Sequence, residues 1–329
     1  MLELTCDITI TSADQKNKWQ FGFLHECVIV EDTDTLTDTC TIELPKKTKW
    51  ERRAVGAGED APIKRGDAIL VKLGYDGELK ERFNGFVRSV DNKTPVKIIC
   101  EDSMFKLKIT TLKPKAFKNV KLSELIEYLL TGTNFKAKLI DKDVELGYYR
   151  ITKNTVAEEL NQLKKEYALK SHFRSYEGEQ FLYVGFTYPF DSVNTQKFIT
   201  GKNIVAEDFE YKRKDDLKVK VKATSVQKNN SKIELTVGDE DGEQVEIKVM
   251  SVDRATLLHM AEAALAAAKY EGLRGRLTTF GEPLLTKTDK CYIESADGNK
   301  GTYLSKKIEI TFGQNGYRQI IDLGQIVSK

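Results

Sequence analysis

The stretch from Ala61 to Val90, APIKRGDAILVKLGYDGELKERFNGFVRSV, most constrains what this chain can fold into. Lys64-Arg-Gly-Asp67 is a tight entry, Ala68 to Leu73 has apolar residues on both faces of a strand, and Gly74-Tyr-Asp-Gly77 supplies turn residues. In the strand that follows, Phe86 and Val87 fall on opposite faces. Gly85 stands where a strand bends or another backbone comes close. A hairpin of this kind is one meander of a small β-barrel.

Residues 1–110 read as β throughout. Leu2 to Ile10 alternates with period two, Phe21 to Val30 predicts one long strand, Asp38 to Leu44 alternates until Pro45, and Val96 to Asp102 closes the set. Between Leu44 and Gly66 lies a loop unusually long for a compact barrel, and loops of that length tend to be functional or ordered by a partner. Its Lys46, Lys47, Arg52 and Arg53 around Trp50 carry the basic and aromatic residues of a nucleic-acid patch. Acidic residues within and after the patch, and a single Trp as platform, favour a solvated loop that docks on a neighbouring subunit.

From residue 111 the period changes. Leu122, Leu125, Ile126, Leu129 and Leu130 form one helical face, with Gly132 as a stop. Thr155-Val-Ala-Glu158 has capping-box spacing, with Val156, Leu160 and Leu163 on one side of the helix it opens. A hairpin then turns at Glu177-Gly178. Residues 111–202 therefore read as an α+β domain.

Residues 203–329 return to β with one helix. In Leu217 to Thr224, Lys218, Lys220 and Lys222 share one face while Leu217, Val219, Val221 and Ala223 share the other. That alternation describes a half-exposed strand. Lys232 to Val237 and Gln244 to Met250 flank a turn at Gly238 to Gly242. Ser251-Val-Asp-Arg254 opens a helix to about Glu271, whose Ala-rich face predicts close packing on the chain's own barrel. The fold class is thus mainly β with an α+β insertion, two small β-barrels flanking an α+β domain.

The Gly-Asp turn, strand, Gly-Tyr-Asp-Gly turn and Phe83-x-Gly85-x-Val87 together resemble the first barrel of phage tail baseplate hub proteins. That family includes late control protein D and the hub of Mu-like phages, and the base of type VI secretion spike proteins is related to it. The C-terminal part is similar to the same family: an Ala-rich helix, a strand, Asp289 leading a short strand, Gly301-Thr-Tyr303, a long strand and Gly316-Tyr317. It departs at Thr288, where relatives often carry Gly, and in having no His in the long strand. The same outline from Asp67 to Val90 and from Asp289 to Ile310 suggests a duplication.

The resemblance implies a homotrimer whose six barrels form a ring between a hexameric tail tube and a trimeric spike, beside other baseplate proteins, with DNA only as passing cargo. It implies a place in the virion tail baseplate, assembled in the host bacterial cytoplasm. Lys46, Lys47, Trp50, Arg52 and Arg53 are then interface candidates, and Lys218, Lys220 and Lys222 candidates for channel lining. One alternative is the spike base of a type VI or related injection system, although the chain ends soon after the second barrel. Another is a tail-associated peptidoglycan hydrolase, which needs an acid pair or a metal cluster in a cleft.

Composition narrows the classes. Lys plus Arg number 52 against 50 for Asp plus Glu, a net charge of +2 that is too balanced for binding dominated by counterion release. No apolar run reaches the roughly 18 residues of a membrane helix, and the start lacks a signal-peptide pattern. The five cysteines are scattered without CxxC spacing and read as free structural thiols. His25, His172 and His259 have no second ligand at a metal spacing, and GxSxG, Walker and HExxH motifs are absent. Neither catalytic residues nor a cofactor or metal site is expected.

Overall fold

The computed structural model describes residues 2–45, 48–50, 53–55, 62–91, 93, 95–141, 144–176, 179–186, 194–227 and 229–328. Among these, the alternating segments join into one long sheet. Its hydrogen-bonded order is Ile204–Lys212, Gly272–Phe280, Gly316–Ser328, Lys300–Gly313, Glu26–Asp32, Thr39–Leu44, Val96–Glu101, Glu78–Asp91, Ala68–Tyr75, Leu4–Thr11 and Lys18–Phe21. Lys290–Glu294 pairs with Lys300–Gly313, and Thr195–Ile199 pairs with Lys290–Glu294. The first half, up to Glu101, and the second half, from Thr195, meet where Glu26–Asp32 runs antiparallel to Lys307 through Gly313.

Burial follows that seam. Ile29, Ile42, Val71 and Ile98 from the first half share a core with Ile293, Ile308, Ile310 and Ile321 from the second. Side chains of Glu26–Asp32 alternate between half-buried and buried, so every second residue supports this common core.

A helix-bearing body forms a second core. Helix α1 (Met104–Ile109) buries Met104 and Leu107, and α2 (Leu122–Leu130) buries the five apolar residues that its spacing predicts. The capping box of α3 (Val156–Tyr167) is made: Glu158 N–H donates to Thr155 Oγ1 at 3.3 Å, and Thr155 N–H to Glu158 Oε2 at 3.2 Å. Lys170–Tyr176 and Glu179–Gly185 form the expected hairpin, which Lys136–Leu139 joins in parallel.

The second core takes in residues far down the chain. Leu160 and Leu163 of α3 cluster with Val219, Val221, Val249, Leu257 and Ala261. Helix α4 (Arg254–Ala268) packs chiefly on a small sheet of Lys232–Gly238, Val219–Val226 and Glu243–Met250, where the expectation was the barrel. The apolar face of that sheet, Val219, Val221 and Ala223, offers the small helix face a flat seat. Asp253 caps α4 by accepting from Thr256 N–H at 2.7 Å, and the helix stops at Ala268, short of Glu271.

Three other expectations change. Residues 21–30 are not one strand: Lys18–Phe21 pairs with Leu4–Thr11, whereas Glu26–Asp32 pairs with Thr39–Leu44. Lys232–Gly238 and Glu243–Met250 do not pair with each other but sit on either side of Val219–Val226, one antiparallel and one parallel. The turn between them wraps the start of that strand, with Val219 N–H donating to Asp239 Oδ2 at 3.0 Å and Glu243 N–H to Lys218 O at 2.8 Å. The region expected to be β to residue 110 ends in α1.

Candidate functional site

Both halves build the same turn before a strand. In the first, Asp67 N–H donates to Lys64 O, Gly66 N–H to Val87 O and Val87 N–H to Asp67 O, at 3.2, 2.8 and 2.8 Å. In the second, Asp289 N–H donates to Thr286 O, Thr288 N–H to Ser305 O and Ser305 N–H to Asp289 O, at 3.1, 2.8 and 2.9 Å. Each aspartate also accepts from the backbone N–H three residues earlier, Lys64 at 2.7 Å and Thr286 at 3.0 Å. Gly66 and Thr288 occupy the same left-handed position, φ 94° and 68°, so the residue that departs from the family pattern keeps its backbone shape.

The aromatic residues of the pattern join the halves. The Tyr75 ring packs at a tilt of 39° against Tyr317, centroids 5.3 Å apart, while its hydroxyl donates to Tyr317 O at 3.1 Å and accepts from Gly281 N–H at 3.2 Å. Buried Tyr303 accepts from Leu273 N–H at 2.8 Å. At Gly85 a methyl group would lie 2.2 Å from Glu101 O, which is the close backbone approach that a strand glycine predicts.

Charged groups from all three regions converge on a cleft of about 150 Å³. Lys287, on the second turn, is buried with Nζ 2.6 Å from Asp38 Oδ2, and its backbone N–H donates to Glu31 Oε2 at 2.9 Å. Asp102, just before α1, donates its N–H to Asp38 O at 3.1 Å and accepts from Met104 N–H at 3.1 Å. Buried Arg82 reaches Gln319 Oε1 at 3.0 Å, while its Nε and Nη1 have no hydrogen-bond partner among the described residues. From the helix-bearing body, Arg174 donates to Asp289 Oδ1 at 2.7 Å. His172 is buried and stacked on Tyr183 at 5.8 Å.

Burial, and then the charge of Asp38, push Glu31 and Asp102 each up to about 7. Burial also works to discharge Lys287, but Asp38 and Asp102 outweigh it and hold the ammonium above its ordinary range. Burial and the nearby charges of Lys287 and Arg174 keep His172 well below the usual imidazole value, hence neutral. Of these residues only Asp289, leading its strand, and His172, an isolated histidine, stand out in the sequence. The others lie at positions 31, 38, 82, 102, 174 and 287, with no local spacing to betray them.

Of the predicted interface residues, Lys46, Lys47 and Arg52 lie outside the described residues. Trp50 and Arg53 face each other in register within a short hairpin, Thr48–Trp50 with Arg53–Val55, which forms a sheet of its own; their side chains are also outside what is described. In the lysine strand Val219, Val221 and Ala223 are buried, Lys218 and Lys222 exposed and Lys220 half-buried. Lys218 pairs with Asp241, and Lys220 donates to Glu240 O at 2.6 Å. Lys220 and Lys222 belong to the small sheet and Lys218 immediately precedes its central strand, outside the long sheet that joins the halves.

The five cysteines are free, and His259 meets Asp141 at 3.3 Å. Among the described residues, no group of His, Cys, Asp and Glu is placed to hold a metal ion, and no helix is long and apolar enough to cross a membrane.

Comparison with family models and with curated proteins gives no match. Solved structures with a similar fold include the tail protein from Neisseria meningitidis MC58, 15% identical with a TM-score of 0.66 over 98% of this chain and 97% of that one. The 43 kDa tail protein of prophage MuSo2 from Shewanella oneidensis is 15% identical, with a TM-score of 0.64 over 97% of this chain and 98% of that one. An E. coli protein described as a component of the type VI secretion system is 8% identical, with a TM-score of 0.60 over 93% and 74% respectively. This chain therefore has the fold that these tail proteins and the type VI component share, and it is the fold expected from the resemblance.

Proposed function

We propose that the chain is a structural baseplate hub of a phage or prophage tail. Three copies form a ring of six barrel-like halves that joins a hexameric tail tube to a trimeric spike. The observation that carries this reading is the repeated turn. Two halves with one backbone pattern, fused through a common sheet and core, give each protomer two similar faces, and three such protomers present six. The likeness in fold to tail proteins supports the same assignment.

In this reading the loop from Pro45 to Arg65 is an interface element between ring subunits or toward other baseplate proteins. Lys218, Lys220 and Lys222 line the path of DNA cargo if the solvent face of the small sheet turns to the ring axis. The protein resides in the virion tail after assembly in the bacterial cytoplasm, and its role is mechanical. Light scattering alone and with the tail tube and spike proteins tests the oligomer, with trimers expected when the partners are added. A strict monomer under all those conditions overturns the reading.

The type VI spike base is the second reading, favoured by the likeness to the E. coli component. It predicts co-purification with secretion tube protein in place of a phage tube. The acids Glu31, Asp38 and Asp102 occupy a cleft, as a hydrolase would require, but they are buried and Asp38 is engaged by Lys287. A zymogram on peptidoglycan is expected to stay unlysed.

A further inference from the structure

The junction around Lys287 holds three carboxyls, Glu31, Asp38 and Asp102, against two cations, Lys287 and Arg82, all buried. With every carboxyl ionised it carries one excess negative charge where little water reaches, a costly state. One added proton makes it neutral. We propose that the junction is a proton-operated latch: a proton held on Glu31 or Asp102 keeps the Thr286–Asp289 turn fastened to the first half, and loss of that proton loosens it.

Geometry places the proton. Burial raises Asp38 as well, but its contact with Lys287 Nζ at 2.6 Å works against that, so of the three acids Asp38 is the one whose charge is directly countered. Asp102 Oδ2 is buried without a hydrogen-bond partner among the described residues, a poor place for a full charge. Glu31 Oε2 accepts from the backbone of Lys287 itself, so the state of Glu31 is felt directly by the turn. The latch spans the first half through Glu31, Asp38 and Arg82, the link to α1 through Asp102, and the second half through Lys287 and Gln319.

Other charged groups face the junction. Arg174 and Asp289 neutralise each other at 2.7 Å, Asp32 lies beside Asp38, and Glu81 stands exposed at the rim. His172, from the strand Lys170–Tyr176, acts in the opposite sense. Held neutral when closed, it gains a proton on opening below about 6.5, which favours opening in acid.

The sign for the carboxyls is distinctive. A carboxyl held near 7 when closed and at its ordinary value when open binds its proton better in the closed state. Closure is therefore favoured as pH falls through 7 toward the ordinary range, and that favour is gone once pH has risen past 7. A conventional buried salt bridge, with its carboxyl pKa lowered, gains nothing across this window.

Hydrogen exchange of residues 286–289 in the full chain, corrected for intrinsic rates, tests the latch at pH 6 and pH 8. Opening is expected to increase with pH about tenfold more in the wild type than in Asp102→Asn, since a tenth of the closed form keeps its proton one unit above the midpoint. The comparison cancels the His172 contribution. Equal pH dependence in the two proteins overturns the latch. If Asp102→Asn does not fold, Glu31→Gln carries the same expectation. Carboxyl NMR of the wild type must show a midpoint between pH 6 and 8 for at least one of the two acids, and the absence of one also overturns it.

Discussion

The turns at Asp67 and Asp289 have one backbone and two environments. Among the described residues Asp67 accepts only from backbone, Ala13 N–H at 3.0 Å and Lys64 N–H at 2.7 Å, and serves its own half. Asp289 adds side chains from elsewhere: Arg174 at 2.7 Å, Asn194 at 3.1 Å and the Thr286 hydroxyl at 3.0 Å. The approach differs as well, through residues 45–65 in the first half and only residues 281–285 in the second. The difference teaches that a repeated local geometry can be kept while its side-chain partners diverge. The second copy is recruited to fasten the helix-bearing body, and the first is left free to carry a long loop.

The largest test of that contrast is truncation of each aspartate. Asp289→Ala removes the carboxylate that pairs with the largely buried Arg174 and accepts from Asn194 and Thr286, and is expected to cost about 3–5 kcal/mol, against about 1–3 kcal/mol for Asp67→Ala, in urea melts of the full chain. Equal losses would erase the distinction between the turns. Gly66→Ala is a finer test: among the described residues beyond its chain neighbours no heavy atom lies within 4 Å of the added methyl, so the left-handed backbone is what resists, at about 1–2 kcal/mol. A loss beyond that range would mean that the first turn carries contacts beyond its backbone.

Smaller still is the expected effect of the loop and of the lysine strand on stability. Changing Lys46, Lys47, Arg52 and Arg53 to Ser is expected to shift the melting temperature little while impairing tail assembly, read as particle yield. Unimpaired assembly removes the interface role. Lys218, Lys220 and Lys222 changed to Gln lose the exposed Asp241 pair and one backbone contact, so the midpoint of a urea melt should hardly move. DNA delivery by assembled particles reads the channel role, and normal delivery removes it.

Much of the local structure was legible because it depends on near neighbours. The apolar face of α2, the Thr155–Glu158 capping box and the close approach at Gly85 follow from spacing alone. Pairing was less legible. Lys232 to Val237 and Gln244 to Met250 read as strands flanking a turn, yet another strand lies between them, because alternation sets a face and not a neighbour. The break at Gly22–His25 went unseen because apolar residues continue across it while the two pieces find different partners. The charged junction was illegible for a further reason: its members come from distant segments, each an unremarkable Asp, Glu, Lys or Arg on its own.

In the proposed assembly, two alike halves in each protomer make a ring of six from three chains. Electron-microscopic averages of the protein bound to its tail tube protein, viewed down the axis, test it most directly. The account predicts three chains per ring, six similar lobes and the small sheets with α4 in three copies outside that sixfold pattern. A ring of six chains, or three lobes with no sixfold component, would contradict it.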